Sequence, residues 1–232
     1  MSLEVDAVTF DDFGTLRYSA SEQEDIIYPI FRALSKRGVS LTEKMFLDRY
    51  FKMDALYRKK LRDTSRESLL DYVIADVLES FGFKSEAYRN AIKEAVDYGL
   101  STRSVNWYPD ALFVLSTLRN RGYKLGLISN THWRFLESFR IEIEKIFDVI
   151  TLSYEHGYAK PHPSIFLTTL KKLGVKANRC LHVGDDPLAD VQGAKRVGMK
   201  TAFIKRINLE TNADIIVERL DQLLELLNKN YR

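Results

Sequence analysis

The spacing of apolar positions changes twice along the chain. Residues 4–10 (EVDAVTF) alternate and then run apolar, which predicts a β-strand. From about 21 to 104 the period becomes helical. Ser21 and Glu24 make a capping box, and Ile26, Ile27, Ile30, Phe31 and Leu34 follow on one face. Further helices are predicted at 42–62, 66–81 and 85–99, broken near Gly38, Thr64 and Gly82–Phe83. After Trp107 strands and helices alternate. Pro109 and Gly122 bracket a helix, KLGLIS (124–129) is a buried-strand run, and DVITLS (148–153), CLHVG (180–184) and TAFI (201–204) are further strands. Helices are expected at 163–173, 187–197 and 217–229.

Strand–helix alternation of this kind builds a parallel sheet with helices on both faces. The economical parse is an α/β domain of 1–16 and 106–232, interrupted by an all-helical insertion at 17–105. An insertion after the first strand is expected above the carboxyl ends of the strands, where open α/β sheets bind ligands.

Composition narrows the possibilities. Lys and Arg number 35 against 32 Asp and Glu, a balance that gives no reason to expect nucleic acid as a partner. One cysteine, Cys180, excludes an intramolecular disulfide and a thiolate-rich metal site. There is no apolar run of membrane-spanning length, and Glu4 and Asp6 stand where a signal peptide would be basic and then apolar. A cytoplasmic location without membrane association is therefore expected.

Four short segments fall at the carboxyl ends of four predicted strands. They are Phe10-Asp11-Asp12-Phe13-Gly14-Thr15-Leu16, Ser129-Asn130-Thr131, Lys160-Pro161-His162-Pro163 and Gly184-Asp185-Asp186-Pro187-Leu188-Ala189-Asp190. Singly each has a plain structural reading: an Asx turn, a helix cap, a surface lysine, acids complementing a helix dipole. Together they supply a carboxylate nucleophile, a hydroxyl and amide donor pair, a cation and a carboxylate cluster suited to a hard metal. That set fits displacement at phosphorus, where positioning and charge neutralisation do most of the catalysis. His182 falls inside a strand pattern and is expected to be structural. His132 and His162 are expected to cap loops, although both follow site segments closely. Arg17, Tyr18, Tyr50, Tyr57 and Arg58 are candidate contacts of the helical insertion, equally explained as packed or solvated side chains.

These four segments, with Val191-Gln192-Gly193-Ala194 after the last, resemble motifs I to IV of the haloacid dehalogenase superfamily, and residues 17–105 resemble its helical C1-type cap. The resemblance implies a Rossmann-like hydrolase, usually a Mg²⁺-dependent phosphatase acting through an aspartyl-phosphate. Asp11 matches the nucleophile, Ser129 with Asn130 the phosphoryl-oxygen donors, and Lys160 the charge stabiliser. Asp11, the Phe13 backbone carbonyl, Asp185 and Asp186 match the metal site, and Asp190 an orienter of Lys160 or of metal-bound water. Small soluble phosphomonoesters, such as triose phosphates, phosphoglycolate or small sugar phosphates, are the implied substrates. Monomer and homodimer both stay open.

Position 13 departs from the phosphatase pattern, in which a second Asp two residues after the nucleophile protonates the leaving group. Phe13 instead resembles the 2-haloacid dehalogenases, which displace halide and need no acid. Asp12 is one residue too early to substitute, because neighbouring side chains on extended backbone point oppositely. Gly-Asp-Asp…Asp in the fourth segment favours a metal-dependent phosphatase, with the dehalogenase as the alternative. A phosphate-ligand binding protein that has lost turnover is the third reading; the retained Asp11, Lys160 and Asp185 argue against it.

Overall fold

A computed structural model describes residues 3–19, 27–64, 69–101, 105–131, 139–206 and 209–227. In chain order they form β1 (Ala7–Phe10), β2 (Arg17–Ser19), α1 (Tyr28–Ser35), α2 (Glu43–Thr64), α3 (Leu69–Ser80), α4 (Ser85–Ser101), β3 (Val105–Trp107), α5 (Ala111–Asn120), β4 (Lys124–Ser129), α6 (Arg140–Ile146), β5 (Val149–Leu152), α7 (Pro163–Leu173), β6 (Cys180–Gly184), β7 (Lys200–Ile204) and β8 (Ile215–Val217). The chain divides into two compact units, Met1–Tyr18 with Trp107–Arg232, and Ser19–Asn106.

In the first unit six strands form one sheet in the order β5-β4-β1-β6-β7-β8, and every pairing is parallel. Parallel strands covered on both faces must be apolar on both sides, which explains why β1, β4 and β6 read as near-continuous apolar runs. Val8, Phe10, Leu125, Leu127, Leu181 and Val183 pack on one face with Ala111, Val114, Leu115 and Leu118 of α5. Ala7, Ile128 and Cys180 pack on the other with Ile165, Phe166, Leu170 and Leu173 of α7. From β1 the chain steps outward through β4 and β5, then returns to place β6 on the other side of β1. That reversal opens a crevice at the carboxyl ends of β1 and β6, the place where such sheets bind ligands. The strands β2 and β3, which carry the chain out of this unit and back, pair as a separate two-stranded ribbon.

The second unit is helical. Ile30 and Leu34 of α1, Phe46, Leu47 and Tyr50 of α2, Val73, Ile74, Val77 and Leu78 of α3, and Ile92, Ala95 and Val96 of α4 are its buried positions. Spacing of three and four residues puts each set on one helix face. Of the candidate contacts, Tyr50 is thus a core residue, while the side chains of Tyr57 and Arg58 lie outside the described residues, as does the Ser21–Glu24 capping box.

Two of the expected helices differ from the sequence expectation, and β2, β3 and α6 are elements it did not contain. The helix expected over 217–229 is preceded by an edge strand, β8, and among the described residues its regular α-helical turn covers Leu223–Leu226. Three residues at a sheet edge give too short a pattern to be read as a strand. The helix expected over 187–197 begins as a π-helical turn, Pro187–Gln192, and only then becomes α-helical at Gly193–Arg196. Among the described residues no helix is long and apolar enough to cross a membrane.

Candidate active site

Asp11 directly follows β1, and its N–H donates to Val183 O of β6 at 2.9 Å, so its side chain stands at the sheet's carboxyl edge. The loop behind it is tight. Gly14 has φ +89° and donates its N–H to Arg17 O at 2.8 Å, while Asp12 O accepts from both Leu16 and Arg17. A side chain at position 14 would be strained and would also meet Asp185 Oδ2 at 2.2 Å, so only glycine fits. Asp12 has a different partner from Asp11. Both of its oxygens are taken by Arg17, with Nε–Oδ1 at 2.6 Å and Nη2–Oδ2 at 2.5 Å, and both residues are buried. Trp107 and Phe139 flank the same guanidinium, with ring centres 5.5 and 4.6 Å from Cζ. This buried pair closes the loop and removes Asp12 from chemistry.

Ser129 ends β4 and is buried beside the crevice. Asn130 holds the backbone of Lys160 on both sides: its Nδ2 donates to Lys160 O at 2.8 Å, and Lys160 N donates to its Oδ1 at 2.6 Å. Asn130, expected to bind substrate, thus holds the segment that carries Lys160 through both ends of its amide. The peptide bond that follows, Lys160–Pro161, is cis. Lys160 Nζ donates to Asp11 Oδ1 at 2.5 Å and to Asp190 Oδ1 at 2.6 Å.

After β6 the acids separate by role. Asp185 accepts from Thr15 Oγ1 at 3.2 Å. Asp186 caps the following turn, its Oδ1 accepting from Leu188 N at 2.7 Å and Ala189 N at 2.9 Å. Asp190 turns inward to meet Lys160. Among the described residues the acidic group whose oxygens lie within 4.8 Å of one another is Asp11, Asp185 and Asp190. Asp190, expected to orient Lys160 or metal-bound water, meets the Lys160 ammonium, and Asp186, expected as a second metal ligand, caps the turn through its Oδ1. The Phe13 ring is 37% exposed.

Sequence reading missed a buried network beneath Lys160. The register of β1 and β6 sets Thr9 opposite His182. His182 Nε2 lies 3.3 Å from Asp190 Oδ1, and its Nδ1 lies 3.0 Å from Thr9 Oγ1. An ionised carboxylate only accepts, so Nε2 carries the proton and Thr9 donates to Nδ1. Burial lowers the His182 pKa, which keeps the ring neutral. No spacing rule reveals a contact between strands 170 residues apart in the chain. His162 caps α7 by accepting from Ser164 N at 3.2 Å, whereas His132 lies outside the described residues.

Electrostatics distinguish the three clustered carboxyls. Burial opposes the charge on Asp190, yet Lys160, then His182, hold its pKa well below the usual range. Its Oδ2 also accepts from Asp186 N at 3.0 Å. Burial raises Asp11, and Asp190 and Asp185 add to the rise against the opposing Lys160. Burial, then Asp190, raises Asp185 to about 6. Burial disfavours the Lys160 ammonium, but Asp11 and Asp190 more than compensate and lift its pKa. One ammonium thus bonds two buried carboxyls, Asp11 and Asp190, beside a half-buried third, Asp185. Asp190 is the one of the three whose pKa is held down. The remaining two are hard oxygen donors short of positive charge, a donor set that fits a hard divalent cation.

The fold is thus a parallel α/β sheet with a carboxylate after a central strand, a lysine from the segment after β5 and an acidic cluster after β6. The chain belongs to the haloacid dehalogenase-like hydrolases, whose family model matches residues 5–198. It is 36% identical over 130 residues to the glyceraldehyde 3-phosphate phosphatase of Pyrococcus furiosus, a match covering 52% of this chain and 54% of that protein. That match spans only about half the length of that relative. It is 27% identical over 233 residues to the phosphoglycolate phosphatase of Aquifex aeolicus, covering 96% of this chain and 97% of that one. In fold it is similar to the crystal structure of 2-haloacid dehalogenase from Pseudomonas syringae pv. Tomato DC3000, with a TM-score of 0.74, 24% identity and coverage of 96% and 97%.

Proposed function

We propose that the chain is a Mg²⁺-dependent phosphatase of small phosphomonoesters that works through an aspartyl-phosphate on Asp11. The observation that carries this reading is the meeting of Lys160 with Asp11 and Asp190 beside Asp185, a buried cluster with more negative charge than its one ammonium neutralises. Asp11, Asp185 and the Phe13 backbone carbonyl would hold Mg²⁺, with Asp190 within reach of the same site; the ion would supply Lewis-acid neutralisation of the phosphoryl oxygens.

Asp11 is the nucleophile. With Oδ1 held by Lys160, attack on phosphorus falls to Oδ2; the bond from phosphorus to the ester oxygen breaks, and the leaving alkoxide takes a proton from solvent. Water then attacks the aspartyl-phosphate, releasing inorganic phosphate and restoring the carboxylate. Lys160 and the buried Ser129 hydroxyl are assigned to the phosphoryl oxygens, where charge develops. Asn130 fixes the segment that carries Lys160. Relatives named for glyceraldehyde 3-phosphate and phosphoglycolate support small phosphorylated metabolites as the substrate class, and a cytoplasmic location goes with such substrates.

Phe13 favours a second reading, halide displacement from a 2-haloacid, because that reaction needs no leaving-group acid. A phosphomonoester panel with and without Mg²⁺, beside a halide-release assay, separates the two. Mg²⁺-dependent phosphate release without halide release is expected. Metal-independent halide release without phosphate release would overturn the phosphatase.

A further inference from the structure

Arg206 lies two residues past β7, on the sheet edge that also carries Asp11 and Asp185. The first unit alone builds its surroundings. Its backbone N–H donates to Ile204 O at 3.0 Å, and its Nη2 donates to Thr15 O at 3.1 Å. Its Cζ stands 3.5 Å from the centre of the Tyr108 ring. Tyr108 is itself fixed, with its N–H on Leu16 O at 2.9 Å and its ring 4.8 Å from that of Tyr18. Thr15 also donates its hydroxyl to Asp185 Oδ1 at 3.2 Å. One residue of the nucleophile loop therefore ties the guanidinium to the acidic cluster.

The other buried cations of this unit's edge have carboxylates: Arg17 has Asp12, and Lys160 has Asp11 and Asp190. Among the described residues Arg206 has none; its Nε, like Arg17 Nη1, is buried without a hydrogen-bond partner, so the missing carboxylate is what sets Arg206 apart. A half-buried guanidinium resting on an aromatic face and a single carbonyl is electrostatically incomplete. Its planar fork matches a planar anion, and a carboxylate takes it in bidentate fashion.

We propose that Arg206, seated on Tyr108 and anchored by Thr15, receives a carboxylate on the substrate. This rests on the phosphatase reading for the phosphoryl group and narrows its substrate class to short phosphomonoesters of hydroxy acids, as opposed to neutral polyol or aldehyde phosphates. A site built to pair a polar group discriminates by what it leaves unpaired when that group is missing.

The test measures kcat/KM for 2-phosphoglycolate and for glycerol 3-phosphate in wild type, Arg206→Met and Arg206→Lys. Wild type should prefer the carboxylated ester. Arg206→Met should reduce the ratio of the two values by roughly 10–100-fold, chiefly through KM, and Arg206→Lys, which keeps the charge without the fork, by less. An unchanged ratio, with both substrates falling alike or neither falling, would overturn the proposal and make Arg206 a loop tie only. A wild-type preference for a bisphosphate over the carboxylated ester would overturn it as well.

If wild type releases phosphate from no ester, the phosphatase reading has failed, and calorimetry still tests Arg206. Wild type should then bind 2-phosphoglycolate at least about tenfold more tightly than inorganic phosphate, with that gap lost in Arg206→Met. Equal affinities in wild type would overturn the assignment.

Discussion

Phe13 stands where a leaving-group acid would stand in a phosphatase of this family, and the neighbouring Asp12 is locked to Arg17 through both oxygens. Departure of the ester oxygen then depends on its own stability as an anion. Aryl phosphates should react much faster than alkyl phosphates of similar size, and Phe13→Asp should narrow the gap by speeding the alkyl esters, up to about 10²–10⁴-fold for a well-placed acid. Equal aryl and alkyl rates in wild type would show that another group protonates the leaving oxygen. His182 makes a second test at this scale. His182→Leu removes one of the two donors to the buried Asp190 Oδ1 and leaves Lys160 as the other, at a cost of about 1.5–3 kcal/mol, and loosens the partner that aims Lys160. A fall in both melting temperature and kcat is expected. His182→Gln, whose amide N–H reaches toward the place of Nε2, should recover most of the kcat; a variant as impaired as His182→Leu would mean that His182 acts by packing alone.

At the scale of elements, the turn after β6 delivers the chemistry. Val191 N donates to Asp186 O at 3.2 Å, a bond across five residues that widens the first turn into a π-helix and goes with Asp190 facing Lys160. Gly184 makes room for this, because a Cβ there would sit 2.2 Å from Asp190 Cγ. Gly184→Ala should displace the Asp190 carboxylate, lower kcat at least about tenfold and destabilise by about 1–3 kcal/mol through overpacking, read by thermal unfolding and steady-state rates. Unaltered kinetics and stability would contradict the tight fit. The apolar runs of β1, β4, β5, β6 and β7 were legible because strands buried on both faces announce themselves in sequence. The strand β8 was not, being three residues at an edge. Nor was the π-turn, whose hydrogen-bond shift accompanies a contact between Asp190 and Lys160, 30 residues apart.

On the scale of the whole molecule, strand order gathers what the sequence scatters. With β1 between β4 and β6, Asp11, Ser129 and Asp185 come to one edge, and the segment after β5 brings Lys160. The presence of these residues at strand ends could be read from sequence. Their individual contacts could not, since the cap made by Asp186 and the sharing of Lys160 between Asp11 and Asp190 depend on which loop atoms the fold brings together. The proposed mechanism needs Asp11 as nucleophile, and Asp11→Asn removes that oxygen while keeping side-chain size. Phosphate release from p-nitrophenyl phosphate in Mg²⁺, compared between wild type and Asp11→Asn at matched thermal stability, tests it most directly. A loss of about 10³-fold or more in kcat is expected; a variant that keeps wild-type turnover would rule out Asp11 as the nucleophile.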